Sequence, residues 1–460
     1  MTLLLVNFCD ANLIAANSNK PNIVFIMIDD LGWSDLAIQG NPLVDTPRID
    51  EFASQGMRFT NAYAAAPVCS PTRAAVLTGL APARLHITNH IPDQPRFTPK
   101  DAELLSAPMI EALDPGYTTV AEILRDNGYS TGFFGKWHVS GKTIGPEGLG
   151  EERYYPENHG FDVNIGGCCY GGPPTFFDPY RIHSLPSRKE GEYLPFRLVD
   201  EVNAFMTTNK DNPFFVMLWP YTVHWPMEAP APLIEKYKDR TGPGLNDIRY
   251  GAMIEAMDDA IGRLLDHLES LGLGDNTLVV FTSDNGGFAG VSDNRPLRAA
   301  KGHLYEGGIR VPLFVKWPGH VAAGSVSDEN VISMDFMPTL LDAAGIRYRR
   351  SHDGVSLLRH MTRGQPLRRD AIYFHYPNYA WHSGNRLGGA VRSGNYKLIK
   401  RYADDSLELY NLKDDLSESN NLAAENPVIA ADLSKKLDRW LDATNANMPD
   451  YPATQGSSEE

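Results

Sequence analysis

The chain has 460 residues, 42% of them hydrophobic, enough to build a substantial core in one large domain or two unequal ones. Its formal net charge of −15 lacks the basic footprint of a nucleic-acid-binding protein, so any anionic ligand must be held by a local concentration of cations or by a metal. Four cysteines do not make a disulfide framework in a chain of this length, and no apolar stretch is long enough to span a bilayer.

Residues 1–19 carry a short apolar run at 3–6 and small residues at Ala15-Ala16. They resemble the remnant of a secretory signal without the usual leading Lys or Arg, and predict a periplasmic or secreted protein. Residues 21–28 form an unbroken apolar run rich in β-branched side chains, read as a strand buried on both faces, with Asp29 and Asp30 at its C-terminal end. Thr46-Pro47 opens a helix that Gly56 closes. Residues 59–63 are a short strand candidate leading into a small-residue loop.

That loop delivers Cys69-Ser70-Pro71-Thr72-Arg73. Pro71 suits the first turn of a helix, which puts the Cys69 thiol at a helix N-terminus with the Arg73 cation near it. Thr118 or Thr119 caps a further helix that stops at Asn127-Gly128. Residues 129–134 read as a strand ending in Gly135-Lys136-Trp137-His138. Residues 140–195, rich in Gly, Pro and aromatics, read as long loops. Residues 213–219 form another buried strand, followed by His224-Trp225-Pro226. A long amphipathic helix over 250–271 is ended by Gly272. Residues 277–282 form a strand that ends at Ser283-Asp284-Asn285-Gly286, residues 311–315 a further strand, and residues 334–344 a helix.

Alternating buried strands and helices predict an α/β fold with a large, mostly parallel sheet flanked by helices. Beyond Arg363 the texture changes to four short antiparallel strands and a helix over 428–441. The organisation expected is therefore a signal remnant at 1–19, a catalytic domain at 20–363, and a smaller α+β subdomain at 364–460 with a disordered tail at 457–460. In open parallel sheets, ligands bind in the crevice outside the C-terminal strand ends. Asp29-Asp30, Lys136-His138, His224 and Asp284-Asn285 each follow such an end, so four distant polar clusters are predicted to meet on one edge. Asp29, Asp30, Asp284 and Asn285 are an all-oxygen donor set suited to a hard cation: Ca2+ first, with Mg2+ as the alternative. Lys136, Arg73 and Lys301 supply compensating positive charge.

The motifs Asn-Ile-Val-Phe-Ile-Met-Ile-Asp-Asp-Leu-Gly, Cys-Ser-Pro-Thr-Arg, Gly-Lys-Trp-His, His-Trp-Pro, Thr-Ser-Asp-Asn-Gly and Lys301-Gly-His-Leu-Tyr-Glu-Gly-Gly-Ile-Arg-Val-Pro resemble, in order, the hallmarks of the formylglycine-dependent sulfatases of the alkaline phosphatase superfamily. The resemblance extends over about residues 21–441. It implies an alkaline-phosphatase-like fold and hydrolysis of a sulfuric ester. It also implies that a maturation enzyme oxidises Cys69 to formylglycine, which Arg73 holds and which joins the metal ligands. Lys136 and Lys301 would neutralise the sulfuryl oxygens, His224 with Lys301 would protonate the leaving alcohol, and His138 would deprotonate the hydrate. Two other readings are a phosphonate or phosphate monoester hydrolase of the same superfamily and a sulfated-glycan binding protein without activity.

Substrate choice is expected from loops at the sheet edge, 140–195, 288–300 and 377–389, which carry Tyr170, Arg295, Arg298, Trp381, His382, Asn385 and Arg386. The substrate expected is a galactose-type sulfated saccharide cut at a chain end.

Overall fold

Strand β1 (Asn22–Ile28) is buried along its whole length, as its continuous apolar sequence requires. The computed structural model describes residues 20–141, 150–240, 242–382 and 384–451. The signal remnant at 1–19, Cys9 and the tail at 457–460 lie outside the described residues. β1 is the spine of an eight-stranded sheet. The other strands are β2 (Met57–Phe59), β3 (Ala62–Tyr63), β4 (Ser130–Gly135), β5 (Val163–Ile165), β6 (Phe214–Trp219), β7 (Thr277–Ser283), β8 (Leu313–Lys316), β9 (Ser325–Ser327) and β10 (Val331–Ile332). The sheet order is β5-β4-β6-β1-β7-β8-β2-β9, and β3 pairs with β10 apart from it. The block from β5 to β7 is parallel throughout.

Two details differ from the sequence expectation. The strand expected at 59–63 is split between β2 and β3. β8 begins at Leu313 and runs antiparallel to both β7 and β2, an orientation that its short apolar run does not encode.

Helices cover both faces of the sheet: α1 (Pro47–Ser54), α2 (Cys69–Thr78), α3 (Val120–Asp126), α4 (Leu194–Thr208), α5 (Ile248–Ser270) and α6 (Phe336–Ala343). α2 starts where Val68 is still extended and stops at Gly79, whose φ of 68° is left-handed. α3 opens with a capping box: Thr119 Oγ1 accepts from Glu122 N, and Glu122 Oε2 accepts from Thr119 N. α5 buries Met253, Met257, Ile261, Leu264 and Leu268 as its period predicts. α4 was not foreseen, since its start lies within the stretch read as loop. It buries Leu198, Val199, Val202, Phe205 and Met206 against α5 and the sheet.

A second, four-stranded antiparallel sheet follows: β11 (Ile372–Tyr376), β12 (Gly388–Ser393), β13 (Tyr396–Arg401) and β14 (Leu407–Asn411). Helix α7 (Pro427–Thr444) packs Leu433, Leu437 and Leu441 onto Val391, Leu398 and Leu409. A buried ion cluster ties this sheet to the main body. Lys397 Nζ on β13 lies 2.9 Å from both Glu306 and Glu418. Arg310 and the Tyr63 hydroxyl complete the shell around Glu306.

Removing the cation from this cluster leaves two buried carboxylates with one remaining cation, Arg310, which pairs with Glu306 and leaves Glu418 without a charged partner. Lys397→Met is therefore expected to cost about 3–5 kcal/mol of unfolding free energy in urea titrations. A loss below about 1 kcal/mol would contradict this account of the junction.

Candidate active site

The sheet topology brings the chemistry to one place. β4, β6, β1 and β7 are parallel neighbours, so Lys136 and His138, His224, Asp29 and Asp30, and Asp284 and Asn285 all emerge on the same edge. Backbone bonds hold the edge together: Asp29 N–H donates to Thr222 O, Val223 N–H to Asp29 O, and Asp284 N–H to Ile28 O. Asp30, two residues past the end of β1, takes a left-handed φ of 63°.

Three carboxylates, all buried, face three buried cations. Lys136 Nζ lies 2.9 and 2.8 Å from the two oxygens of Asp29. Lys301 Nζ lies 2.5 Å from Asp30 Oδ1 and 3.2 Å from Cys69 Sγ. Arg73 donates to Asp284 Oδ2 at 3.1 and 2.6 Å and to the Lys136 carbonyl at 2.7 Å, with its guanidinium over the Trp219 ring. Arg73 thus holds Asp284 and Lys136, and its influence on residue 69 is electrostatic.

Burial raises every carboxylate, and the neighbours decide the outcome. Asp29 is pushed up to about 7 by burial, with Lys136 opposing and Asp284 and Asp30 adding repulsion. For Asp30 burial is outweighed by Lys301 and His224, and its carboxyl is held well below the usual range. For Asp284 burial is outweighed by Arg73 and Lys136.

Cys69 is the first residue of α2, with its Sγ 3.8 Å from Asp29 Oδ1. Helix terminus and cations do not make it a thiolate. Burial pushes the thiol up to about 11 against Lys136 and Lys301, and Asp284 and Asp29 push the same way. As a bare cysteine the residue is a poor nucleophile at neutral pH.

One donor atom from each of Asp29, Asp30, Cys69 and Asp284 falls within 4.8 Å of the others. Asp30 Oδ2 and Asn285 Oδ1 are buried without a hydrogen-bond partner. Two orphaned oxygens in an oxygen-rich cage fit a hard divalent cation, whose binding would satisfy both.

Both histidines are neutral and oriented. His138 Nε2 faces the Ile91 carbonyl at 2.6 Å, so that nitrogen carries the proton and the buried, unpartnered Nδ1 is a free lone pair. Burial, with Lys136 and Arg73, holds its pKa well below the ordinary value. His224 Nδ1 donates to Trp225 O at 2.9 Å, leaving Nε2 3.7 Å from Asp30 Oδ2. Burial lowers His224 to about 3 although Asp30 opposes it. Burial acts against the charge on Lys301 too, but Asp30 and Cys69 outweigh it and raise the pKa, so Lys301 stays protonated.

The cage opens into a pocket of about 450 Å3 lined by Cys69, His90, Ile91, Pro92, Gln94, Arg96, Phe97, His138, Gly171, His224, Lys301 and Trp381. Of the three loops expected to line it, 140–195 contributes Gly171 and 377–389 contributes Trp381. The 288–300 loop contributes no residue to this lining and touches it only through Phe288. Phe288 packs behind Trp381, Arg295 pairs with Asp293, and Arg298 donates to Tyr410 and the Glu418 carbonyl beside the Tyr305 ring. His382 and Asn385 are buried, and Arg386 bonds its own neighbour's carbonyl.

The sequence reading missed segment 90–97, although a His, an Arg and two prolines between helices marked it as an ordered loop. Ser70 anchors it: the Ser70 hydroxyl accepts from Ile91 N–H and donates to the His138 carbonyl. Gly171 and Gly172 were also missed. A Cβ at Gly171 would stand 2.7 Å from His138 Nε2, and one at Gly172 would stand 2.7 Å from His224 Nδ1.

The comparisons agree with this geometry. A family model described as Sulfatase matches residues 21–346, and one described as N-sulphoglucosamine sulphohydrolase, C-terminal, matches residues 299–446. The chain is 33% identical to N-acetylgalactosamine-6-sulfatase of Mus musculus, covering 86% of this chain and 75% of that protein. It is 32% identical to arylsulfatase A of Homo sapiens, covering 91% and 82%. The solved structure of Ps i-CgsB in complex with k-i-k-neocarrahexaose superposes with a TM-score of 0.77 at 27% identity, covering 92% of this chain and 93% of that one.

Gly172→Ala is expected to lower kcat on a small sulfate ester by about 10²-fold, because it displaces the His224 ring from Trp225 O. Circular dichroism should still report a folded chain. A folded variant with wild-type kcat would contradict the packing argument.

Proposed function

This chain belongs to the sulfatase family, and we propose that it removes sulfate from a sulfated carbohydrate using a formylglycine made from Cys69. The observation that carries the reading is the convergence of Cys69, Lys136, His138, His224 and Lys301 around the Asp29, Asp30, Asp284 and Asn285 cage. The raised thiol pKa argues against use of Cys69 as a thiolate nucleophile. Conversion requires a formylglycine-generating maturation enzyme that supplies the oxidant.

Asp29, Asp30, Asp284 and Asn285, with an oxygen at position 69, would hold Ca2+ (Mg2+ is the alternative), which supplies positive charge to the sulfuryl group and acidifies the position-69 hydroxyl. The hydrate carries two hydroxyls on one carbon. One, ionised with its proton released to solvent, attacks sulfur in line, forming an O–S bond as the ester O–S bond breaks. Lys136 and Lys301 would neutralise the charge that gathers on the sulfuryl oxygens. The departing alkoxide takes its proton from Lys301, and the neutral His224 Nε2 orients that transfer. His138 Nδ1, buried and bare, then accepts the proton of the second hydroxyl. The C–O bond to sulfate breaks, the aldehyde re-forms, and water restores the hydrate.

The saccharide reading is supported by a relative named N-acetylgalactosamine-6-sulfatase, by a related structure in complex with k-i-k-neocarrahexaose, and by the aromatic residues Phe97 and Trp381 in the pocket lining. We read the substrate as a galactose-type unit of a polysaccharide or glycosaminoglycan, taken at a chain end because loops around the sheet edge would close the pocket against a through-going chain. The residue 1–19 segment supports a periplasmic or secreted site of action. Among the described residues no helix is long and apolar enough to cross a membrane.

Mass spectrometry of the tryptic peptide ending at Arg73 is expected to show loss of sulfur and gain of oxygen at position 69. Cys69→Ala should abolish turnover. Cys69→Ser should give at most a single slow turnover, since one hydroxyl can attack but cannot eliminate sulfate. Fully active protein containing only the thiol would overturn the mechanism, and faster hydrolysis of an aryl phosphate than of the matching aryl sulfate would favour the phosphate or phosphonate reading.

A further inference from the structure

The segment from His90 to Phe97 forms a wall of the pocket, yet none of its side chains has a role in the reaction described above. His90 stands out because a buried network dictates its chemical state. Asn89, fully buried behind it, donates through Nδ2 to Asp93 Oδ1 and to the Tyr379 carbonyl, both at 2.9 Å. Both partners accept only, so the amide orientation is settled and Asn89 Oδ1 is the atom facing His90 Nδ1 at 2.9 Å. The Tyr376 hydroxyl donates to the same oxygen at 3.4 Å. A carbonyl oxygen cannot donate, so the proton of the contact belongs to His90 Nδ1.

The imidazole is also neutral. Burial, reinforced by Lys301 and Lys136, lowers its pKa to about 4. A neutral ring with its proton on Nδ1 presents a bare lone pair at Nε2. That nitrogen has no hydrogen-bond partner among the described residues; it is the ring nitrogen that Asn89 does not engage, and His90 is one of the residues lining the pocket. Phe97 and Trp381 flank the ring, with centroids 6.3 and 6.4 Å away. Ile91, Pro92, Phe97, Gly171 and Trp381 give the pocket a mostly apolar lining, in which a fixed acceptor discriminates strongly. It accepts from a hydroxyl or an amide N–H, repels an anionic oxygen, and gains nothing from an aromatic C–H.

We propose that His90 Nε2 accepts a hydrogen bond from a hydroxyl or amide N–H of the sugar that bears the sulfate, making His90 a specificity residue that selects saccharide over aryl sulfates. Asn89 positions it by holding the proton on Nδ1. The inference rests on the saccharide reading and deepens it: the substrate must carry a donor within reach of the ester, on the side of the pocket formed by segment 90–97.

The test uses the mature enzyme with methyl galactoside 6-sulfate, its N-acetylgalactosamine counterpart, their monodeoxy analogues and a simple aryl sulfate. In wild type one deoxy position is expected to lose about 10- to 100-fold in kcat/KM relative to its parent. In His90→Phe, which keeps the ring and removes the acceptor, parent and deoxy compound are expected to agree within about threefold. The ratio of saccharide to aryl sulfate kcat/KM is expected to fall by about tenfold or more in that variant. His90→Gln, which keeps an acceptor, should recover part of the deoxy penalty.

Wild type that is indifferent to every deoxy position overturns the proposal without recourse to any variant. So does a deoxy penalty that persists in His90→Phe, or an equal loss on all substrates. Turnover of the aryl sulfate with no turnover of any sugar overturns the saccharide reading itself, a result distinguishable from those three.

Discussion

Three carboxylates buried at the tips of two adjacent parallel strands govern how the rest of the molecule is arranged. Asp29 and Asp30 at the end of β1 and Asp284 at the end of β7 sit out of water, where an uncompensated charge is costly. Each is met by a cation from a different part of the chain. Arg73 comes from the first turns of α2, Lys136 from the end of β4, and Lys301 from the segment after β7. The cage therefore works as a fold constraint as well as a site. The strand order that places β4 and β7 on either side of β6 and β1 is what lets those cations arrive.

The supports of the cage are as specific as the cage. Ser70 ties the helix carrying residue 69 both to the His138 backbone and to the wall at segment 90–97, and Gly171 and Gly172 give the two histidine rings room to lie in their hydrogen-bonded orientations. On the far side, Lys397 of the second sheet anchors Glu306, five residues beyond Lys301. The small C-terminal sheet thereby helps to fix a lysine that touches residue 69. Its contribution to the chemistry is positional, exerted through the 301–306 segment.

Much of this was legible in the residues, for identifiable reasons. An apolar run such as 21–28 tolerates no reading except a doubly buried strand, so the two aspartates after it had to stand at a strand end. The same logic located Lys136, His138, Asp284 and Asn285, and motif order supplied Cys69 and Lys301. Features created by packing between distant segments were not legible. The Lys397–Glu306–Glu418 cluster joins residues that no spacing relates, and the antiparallel direction of β8 leaves no trace in its sequence. Segment 90–97 is anchored by the Ile91 N–H bond to the Ser70 hydroxyl, and the state of His90 depends on the buried Asn89, neither of which is visible in the sequence pattern. α4 is a different case. Its helical period, Leu198, Val199, Val202, Phe205 and Met206, was present in the sequence, but its start fell within a stretch dominated by Gly and Pro.

The account turns on the claim that the balanced acid cage, with its orphaned Asp30 and Asn285 oxygens, holds one hard divalent ion. Elemental analysis of purified active protein tests this directly. The account predicts one calcium per chain, lost together with activity and several degrees of melting temperature on chelation, and restored with both on adding calcium back. Active protein containing no divalent metal would contradict the cage as a metal centre, and stoichiometric zinc would contradict the choice of ion.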